Sequence, residues 1–427
     1  MEQVISPARK LVGEVEVPGE LQPTEQALIL AALATGESGI RNASPGSVRL
    51  VGVLKQLGVE IKSRPGVLRV NGCGLEGICA PEGGVLELDG LGETALLVLA
   101  VLAGRDFVSH CKLSEGQERC MALQDLLAPM GANLVRESDD FFSVGGSAKL
   151  QGFEYQVVDL DSSLKLAVLI AALGAIGTTS LRESLKGRDR AVNLLRQRQV
   201  EVERRKQGET DRYLVSLMGG QILQPGQVDV HGDLRLAYPL IIAALGLKGS
   251  EVTIRRLAIH PGQRAFLDTM RHMGAPIALE EDEGGTFQLA VRSGALKSTR
   301  IAGPRTEKLL EQIPFLAVLA TQAQGEFVIR DIEVLRRGEF DYVAHLVALL
   351  RQLGARVGEY PEGIVIKGGV PLRGGAIETR GDAGLVLAFA VAGLLAESEV
   401  TLADAECVDE IYPGFFSTLE KLKESRK

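Results

Sequence analysis

Thiols and imidazoles have the widest chemical repertoire of any side chains, and this chain has few of them. Its 427 residues include five cysteines (Cys73, Cys79, Cys111, Cys120, Cys407) and five histidines (His110, His231, His260, His272, His345). An odd cysteine count without a Cys-x-x-Cys pair points to reduced, mostly structural thiols rather than a disulfide framework. His110 beside Cys111 is the start a metal site would need, but no further ligands follow at zinc spacing, so no metal is expected. No Gly-x4-Gly-Lys-Ser/Thr phosphate loop occurs. The glycine-rich turns lie at helix–strand junctions rather than in a strand-to-helix dinucleotide fingerprint, so no cofactor is indicated. The 55 acidic residues outnumber the 47 basic ones, for a formal charge of −8, which disfavours nucleic acid and anionic membranes as partners. The start Met1-Glu2-Gln3-Val4-Ile5 carries an acid where a signal peptide needs positive charge. The most apolar stretch, Gly384 to Leu395, is shorter than the ~20 residues that cross a bilayer. A soluble cytoplasmic protein is the expectation.

Whatever chemistry the chain performs must be positioned by its repeats. An apolar Ala/Leu/Val run at helical spacing, a small residue, a β-like run and a polar turn recur six times. The runs begin at Ala27, Ala95, Ala167, Pro239, Phe315 and Leu385, spaced 68, 72, 72, 76 and 70 residues apart. A second helical segment follows in most copies and ends in a Leu/Met-Gly signature: LKQLGVEI at 54–61, LLAPMGANLV at 126–135, TMRHMGAPI at 269–277 and LLRQLGARV at 349–357. Glycine there supplies a left-handed helix cap before a strand begins. Each copy reads as helix, strand, helix and strand pair. This pattern places much of the glycine excess, 50 residues or about 12% against a usual ~7%. The first helix of each copy is apolar nearly all round and therefore buried. Six such helices cannot share one core, so two α/β domains of three copies each are the economical packing, with a solenoid as the structural alternative.

Over the whole chain the sequence resembles the 5-enolpyruvylshikimate-3-phosphate synthase family. The resemblance rests on the six-copy plan, the opening VGEVEVPGELQPTEQALILAALATGE, the segment EQIPFLAVLATQAQGEFVIRDIEVLRRGEF (311–340) and the ending DAECVDEIYPGFFSTLEKL (404–422). It implies the two-domain enolpyruvyl transferase fold: six βαβαββ-like units, three per domain, each domain an inverse α/β barrel. Carried over, residues 1–19 and 227–427 form one domain and 20–226 the other, with crossings at Pro18-Gly19 and Gln224-Pro225-Gly226 and a substrate cleft between the domains. The family's reaction joins phosphoenolpyruvate to a hydroxyl of shikimate 3-phosphate and expels phosphate. Both substrates are anions, so the cleft has to be cationic.

The family's signatures keep their frame here and lose their charge. Pro-Gly-Ser-Lys-Ser-x-Ser-Asn-Arg-Ala is Pro18-Gly19-Glu20-Leu21-Gln22-Pro23-Thr24-Glu25-Gln26-Ala27, so the Lys is Leu21 and the Arg is Gln26. Gly-Asn-Ala-Gly-Thr-x-x-Arg is Gly90-Leu91-Gly92-Glu93-Thr94-Ala95-Leu96-Leu97, with its Arg replaced by Leu97 and an acid in the turn. The Ser-Ser-Gln cluster falls on Lys165-Leu166-Ala167, where Lys165 reads either as an anion ligand or as a surface residue at a helix start. Gly187-Arg188-Asp189 retains an Arg and an Asp, with Arg188 either an anion ligand or part of a solvated helix face. The proton-accepting Asp of Ile-Asp-Glu-Ile-Pro becomes Glu311, one methylene longer. Beyond it Glu339 persists, while the family's Lys is Gly338 and its Arg is Tyr342. Asp-His-Arg becomes Asp382-Ala383-Gly384, and the last Lys becomes Glu410. At least seven basic positions are gone. Each charge-assisted hydrogen bond is worth about 1.5–3 kcal/mol, so losing four costs about 6–12 kcal/mol.

Three readings stand. The first is a family member that has lost enolpyruvyl transfer and binds a less anionic small molecule in the interdomain cleft, or a protein partner if non-catalytic. The second is an active transferase whose cations are Arg49, Lys165, Arg188 and Arg337. The third is a different enzyme in the same cleft, with Glu311 and Glu339 as an acid/base pair on an uncharged substrate.

Overall fold

A computed structural model describes residues 1–64, 66–146, 149–156, 159–184, 189–208, 212–282, 285–338 and 340–425. The chain forms two compact units, Met1–Glu20 with His231–Lys427, and Leu21–Val230. Each is an α/β body with its own apolar core.

The six apolar runs are six buried helices: Leu21–Leu33, Thr94–Ala103, Ser162–Leu173, Leu234–Gly246, Ile313–Ala320 and Ala383–Leu395. Every residue of Thr94–Ala103 and of Ile313–Ala320 is buried, because a helix with no polar face has no side to turn to water. Around them the sheets follow one order. In the second repeat Val85–Glu87 runs parallel to Val108–Lys112, which pairs antiparallel with Phe141–Gly145, and that strand takes Leu134–Arg136 as its other partner. The third and fifth repeats copy this order.

The first, fourth and sixth repeats show how the chain closes on itself. The opening strand of the first repeat is Gln227–Asp229, which lies after the rest of its unit in sequence and runs parallel to Thr35–Arg41. Ala8–Glu16 runs parallel to Glu251–Ala258 in the fourth repeat. Gln3–Ile5 supplies the antiparallel partner of Val400–Leu402 in the sixth.

The glycines have two separate jobs. Gly58, Gly131, Gly274 and Gly354, the residues of the Leu/Met-Gly signature, all sit at positive φ between 84° and 88° where the second helix turns into a strand. The third repeat has no glycine there, and Gln199 takes the left-handed position at φ 60°. The second job is close approach. A Cβ on Gly72, Gly219 or Gly368 would fall 2.1, 1.9 or 1.9 Å from a carbonyl oxygen (Ala31, Ala175 and Ala323) at the end of the buried helix in its repeat. No side chain fits at that distance, so these glycines let the last strand cross the helix terminus. Gly219→Ala is therefore expected to destabilise the Leu21–Val230 unit by about 1–3 kcal/mol or more, read as a lowered urea midpoint, whereas Gly52→Ala, in open space on a helix surface, should leave it unchanged or raised.

Candidate functional site

Chemistry in such repeats belongs at the N-terminal ends of the buried helices, where unpaired N–H groups and the helix dipole face outward. In the Leu21–Val230 unit the first three helix starts are tied together by side chains. Thr94 Oγ1 donates to Glu25 Oε2 at 2.6 Å, with both residues buried. Gln22 Nε2 reaches Ser163 Oγ at 3.4 Å. Arg119 donates to Asp161 at 2.6 Å and also to Glu93. Asp161 in turn caps Ser162–Leu173 by accepting from the Ser163 and Leu164 amides.

The electrostatics of these helix starts are acidic. Glu25 is a carboxyl in an apolar setting. Burial pushes its pKa up to about 7 against the lowering effect of the Thr94 hydrogen bond. Leu97 and Gln26, which stand where arginines occur in the resembling family, are each 2% exposed, and Gln26 Oε1 has no hydrogen-bond partner. Leu97 belongs to the core itself.

Lys165 is not a surface residue. It is 1% exposed, and its ammonium donates to Glu183 Oε2 at 2.6 Å and to Asp189 Oδ2. Arg204 lies beyond, its Nε 3.8 Å from Glu183 and 4.0 Å from Asp189, stacked 4.1 Å over the Tyr213 ring. The Lys165 charge is therefore already matched by two carboxylates. The surface reading fails because helix Ser162–Leu173 is sunk in the core from Ser163 onward.

The unit of residues 1–20 and 231–427 contains a cavity of about 370 Å³ at the start of Leu234–Gly246. Arg235, Tyr238, Gln263, Phe266, Glu311 and Gln312 line it. Asp233 caps the helix through the Arg235 amide at 2.8 Å and accepts three hydrogen bonds from the Arg235 guanidinium, two from Nε at 3.1 and 3.0 Å and one from Nη2 at 2.7 Å. Among the described residues Arg235 Nη1 has no hydrogen-bond partner. Tyr238 is 2% exposed, its ring tilted against Phe266 with centroids 4.1 Å apart and edge-on to Phe315 at 5.9 Å. Burial holds its phenol well above the usual range, so it carries its proton. The Gln312 side chain lies within reach of the Tyr238 phenol, but neither Tyr238 Oη nor Gln312 Oε1 makes a well-formed hydrogen bond.

Of the sequence-derived candidates, Glu311 lies in this cavity, and Glu339 and Arg188 fall outside the described residues. Arg49 is exposed near the start of Val48–Gln56, its guanidinium 3.4 Å from where a Cβ on Gly90 would be. Arg337 is exposed at the end of the turn Glu333–Arg336, in the other unit from Arg49 and Lys165. Its neighbour Arg336 is bound to Asp341 at 2.8 Å and Glu359 at 2.9 Å. Arg235, Tyr238 and Gln312 escaped sequence reasoning. The available signal was an arginine two residues after a capping Asp, interrupting the otherwise apolar LRLAYPLIIAAL. Among the described residues no group of three or more His, Cys, Asp or Glu could hold a metal ion, and no helix is long and apolar enough to cross a membrane.

Comparison with known proteins agrees with this architecture. Residues 5–419 match the family model described as EPSP synthase (3-phosphoshikimate 1-carboxyvinyltransferase). The 3-phosphoshikimate 1-carboxyvinyltransferase of Desulforamulus reducens is 33% identical over 433 aligned residues, spanning 99% of both chains. That of Bacillus licheniformis is 31% identical, over 97% of this chain and 98% of the relative. Among solved structures, EPSP synthase from Acinetobacter baumannii superposes with a TM-score of 0.78 at 23% identity, over 99% of this chain and 98% of that one. The enolpyruvyl transferase NikO from Streptomyces tendae does so at 0.67 and 19%, over 98% and 96%.

Proposed function

The chain belongs to the EPSP synthase family, and from that premise we propose that it keeps the family's fold while having given up transfer of the enolpyruvyl group from phosphoenolpyruvate to shikimate 3-phosphate. The observation that carries this reading is the charge at the helix starts of the Leu21–Val230 unit. Glu25, Glu93 and Asp161 lie there, and among the described residues two of the cations beside them are spoken for, Arg119 by Glu93 and Asp161, Lys165 by Glu183 and Asp189, which leaves the exposed Arg49 next to Gly90. Two substrates that each carry a phosphate and a carboxylate need unpaired cations, since each hydrogen bond to a charged group is worth about 1.5–3 kcal/mol. A site whose cations are paired with carboxylates and whose buried carboxyl favours its neutral form offers them little free positive charge.

The synthase name shared by relatives at 31–33% identity supports the opposite reading, an active enzyme that draws on Arg49, Arg188 and Arg337. One assay separates the two. The purified protein is incubated with shikimate 3-phosphate and phosphoenolpyruvate at millimolar concentration and inorganic phosphate is followed, with the Bacillus licheniformis relative as the positive control. The expected result is no phosphate above the protein-free background. Sustained release with turnover would establish the active reading.

A further inference from the structure

We infer that the cavity beside Arg235 and Glu311 binds a small aminocarboxylate, with Arg235 taking the carboxylate and Glu311 the ammonium. The inference deepens the reading above and rests on it in one respect, that the natural ligand carries no phosphate.

Four observations lead to it. First, the cavity is already formed within one compact unit, and its volume of about 370 Å³ lies at the low end of the range for small-molecule sites. Second, two buried polar side chains line it, Tyr238 and Gln312, which lie within reach of each other without forming a well-aligned hydrogen bond. Tyr238 Oη and Gln312 Oε1 belong to side chains more than nine-tenths buried, and a pair of buried polar groups so imperfectly matched has hydrogen-bonding capacity left for a ligand or a water. Tyr238 keeps its proton, so together they offer a donor and an acceptor. Third, Arg235 is fixed by Asp233 on its Nε and Nη2 side and keeps Nη1 for an anion. Its orientation is set before any ligand arrives, which lowers the ordering cost of binding.

Fourth, the charges choose between kinds of anion. Arg235 and Lys308 at the cavity face Asp233, Glu307 and Glu311, an excess of one negative charge. A phosphate-bearing dianion is disfavoured there. A plain carboxylic acid would satisfy Arg235 and leave Glu311 facing another negative group. A zwitterion meets both demands, its carboxylate on Arg235 and its ammonium on Glu311, with Tyr238 and Gln312 contacting neutral polar atoms of the ligand.

The test uses the whole protein. The twenty standard L-amino acids are screened at millimolar concentration by thermal shift, with inorganic phosphate and phosphoenolpyruvate alongside, and hits are measured by calorimetry. At least one amino acid is expected to bind. Its affinity should fall about tenfold or more in Glu311→Gln and in Arg235→Gln, the loss set by one charge-assisted hydrogen bond. The deaminated acid of the same skeleton should bind at least tenfold more weakly. Arg235→Gln also removes a partner of the capping Asp233, so Glu311→Gln, a change at an exposed residue, carries the test if that variant fails to fold. Binding by none of the amino acids overturns the inference. So does affinity unchanged in Glu311→Gln, or equal affinity for the deaminated acid. Phosphate release in the transfer assay overturns the loss of activity, and with it the claim that the natural ligand carries no phosphate, while amino-acid binding read by calorimetry stands or falls by itself, so the two failures are told apart.

Discussion

Replacing Lys165 by Met is expected to destabilise the Leu21–Val230 unit by about 3–5 kcal/mol, the cost of stranding buried charge when one partner of an interior ion pair is removed. Lys165, Glu183 and Asp189 are 1%, 3% and 4% exposed, so no water stands ready to solvate two carboxylates that lose their ammonium. Arg204, at 3.8 and 4.0 Å, is beyond good hydrogen-bond range of both. Asp189 additionally caps Arg190–Arg196 through the Val192 amide, so its displacement would loosen that helix as well. The measurement is the urea midpoint at neutral pH, followed by fluorescence or circular dichroism. A triple variant, Lys165→Met with Glu183→Gln and Asp189→Asn, should recover much of the loss, because it removes the stranded charges and keeps hydrogen-bonding groups in place. A Lys165→Met protein as stable as the parent would mean that the cluster is hydrated and open to ligand.

That cluster shows which parts of the molecule can be read from the chain alone. Features with a period were legible. The six apolar helices announced themselves by composition, and the glycines before each hairpin by their place after a Leu or Met. Both signals are local, fixed by helix burial and by the left-handed turn that only a few residue types tolerate. The third repeat escaped the glycine rule because Gln199 adopts the same backbone conformation without the usual residue. Side-chain partners were not legible. Glu183 and Asp189 are 18 and 24 residues from Lys165 and meet it only after the strand Thr178–Glu183 packs beside the helix. A charged residue near a helix start looks exposed until tertiary packing shows otherwise. Arg235 was overlooked for a related reason. Its role depends on Tyr238, Glu311 and Gln312, which sequence distance separates and the cavity unites.

Glu25 gives the second large effect. Its pKa stands near 7 in the folded protein against 4.5 for an exposed carboxyl, and burial is the leading cause. A carboxyl whose folded pKa is raised holds its proton more tightly in the native state than in the unfolded one. It therefore imposes no penalty below about pH 4.5. The penalty grows as pH rises from about 4.5 to about 7, and above that it is constant at about 3 kcal/mol, since each tenfold gain in proton affinity on folding is worth ~1.4 kcal/mol. Glu25→Gln removes the titration and keeps an acceptor for Thr94 Oγ1, which now bonds the carboxyl at 2.6 Å. The variant is expected to match the parent near pH 4.5 and to exceed it by up to about 3 kcal/mol at pH 8. Paired urea titrations at pH 4.5, 6 and 8 measure the difference directly. A gap that does not widen between pH 4.5 and 8 would mean that Glu25 is charged and solvated in the fold. The acidic character of these helix starts would then be greater still, and phosphate less welcome there.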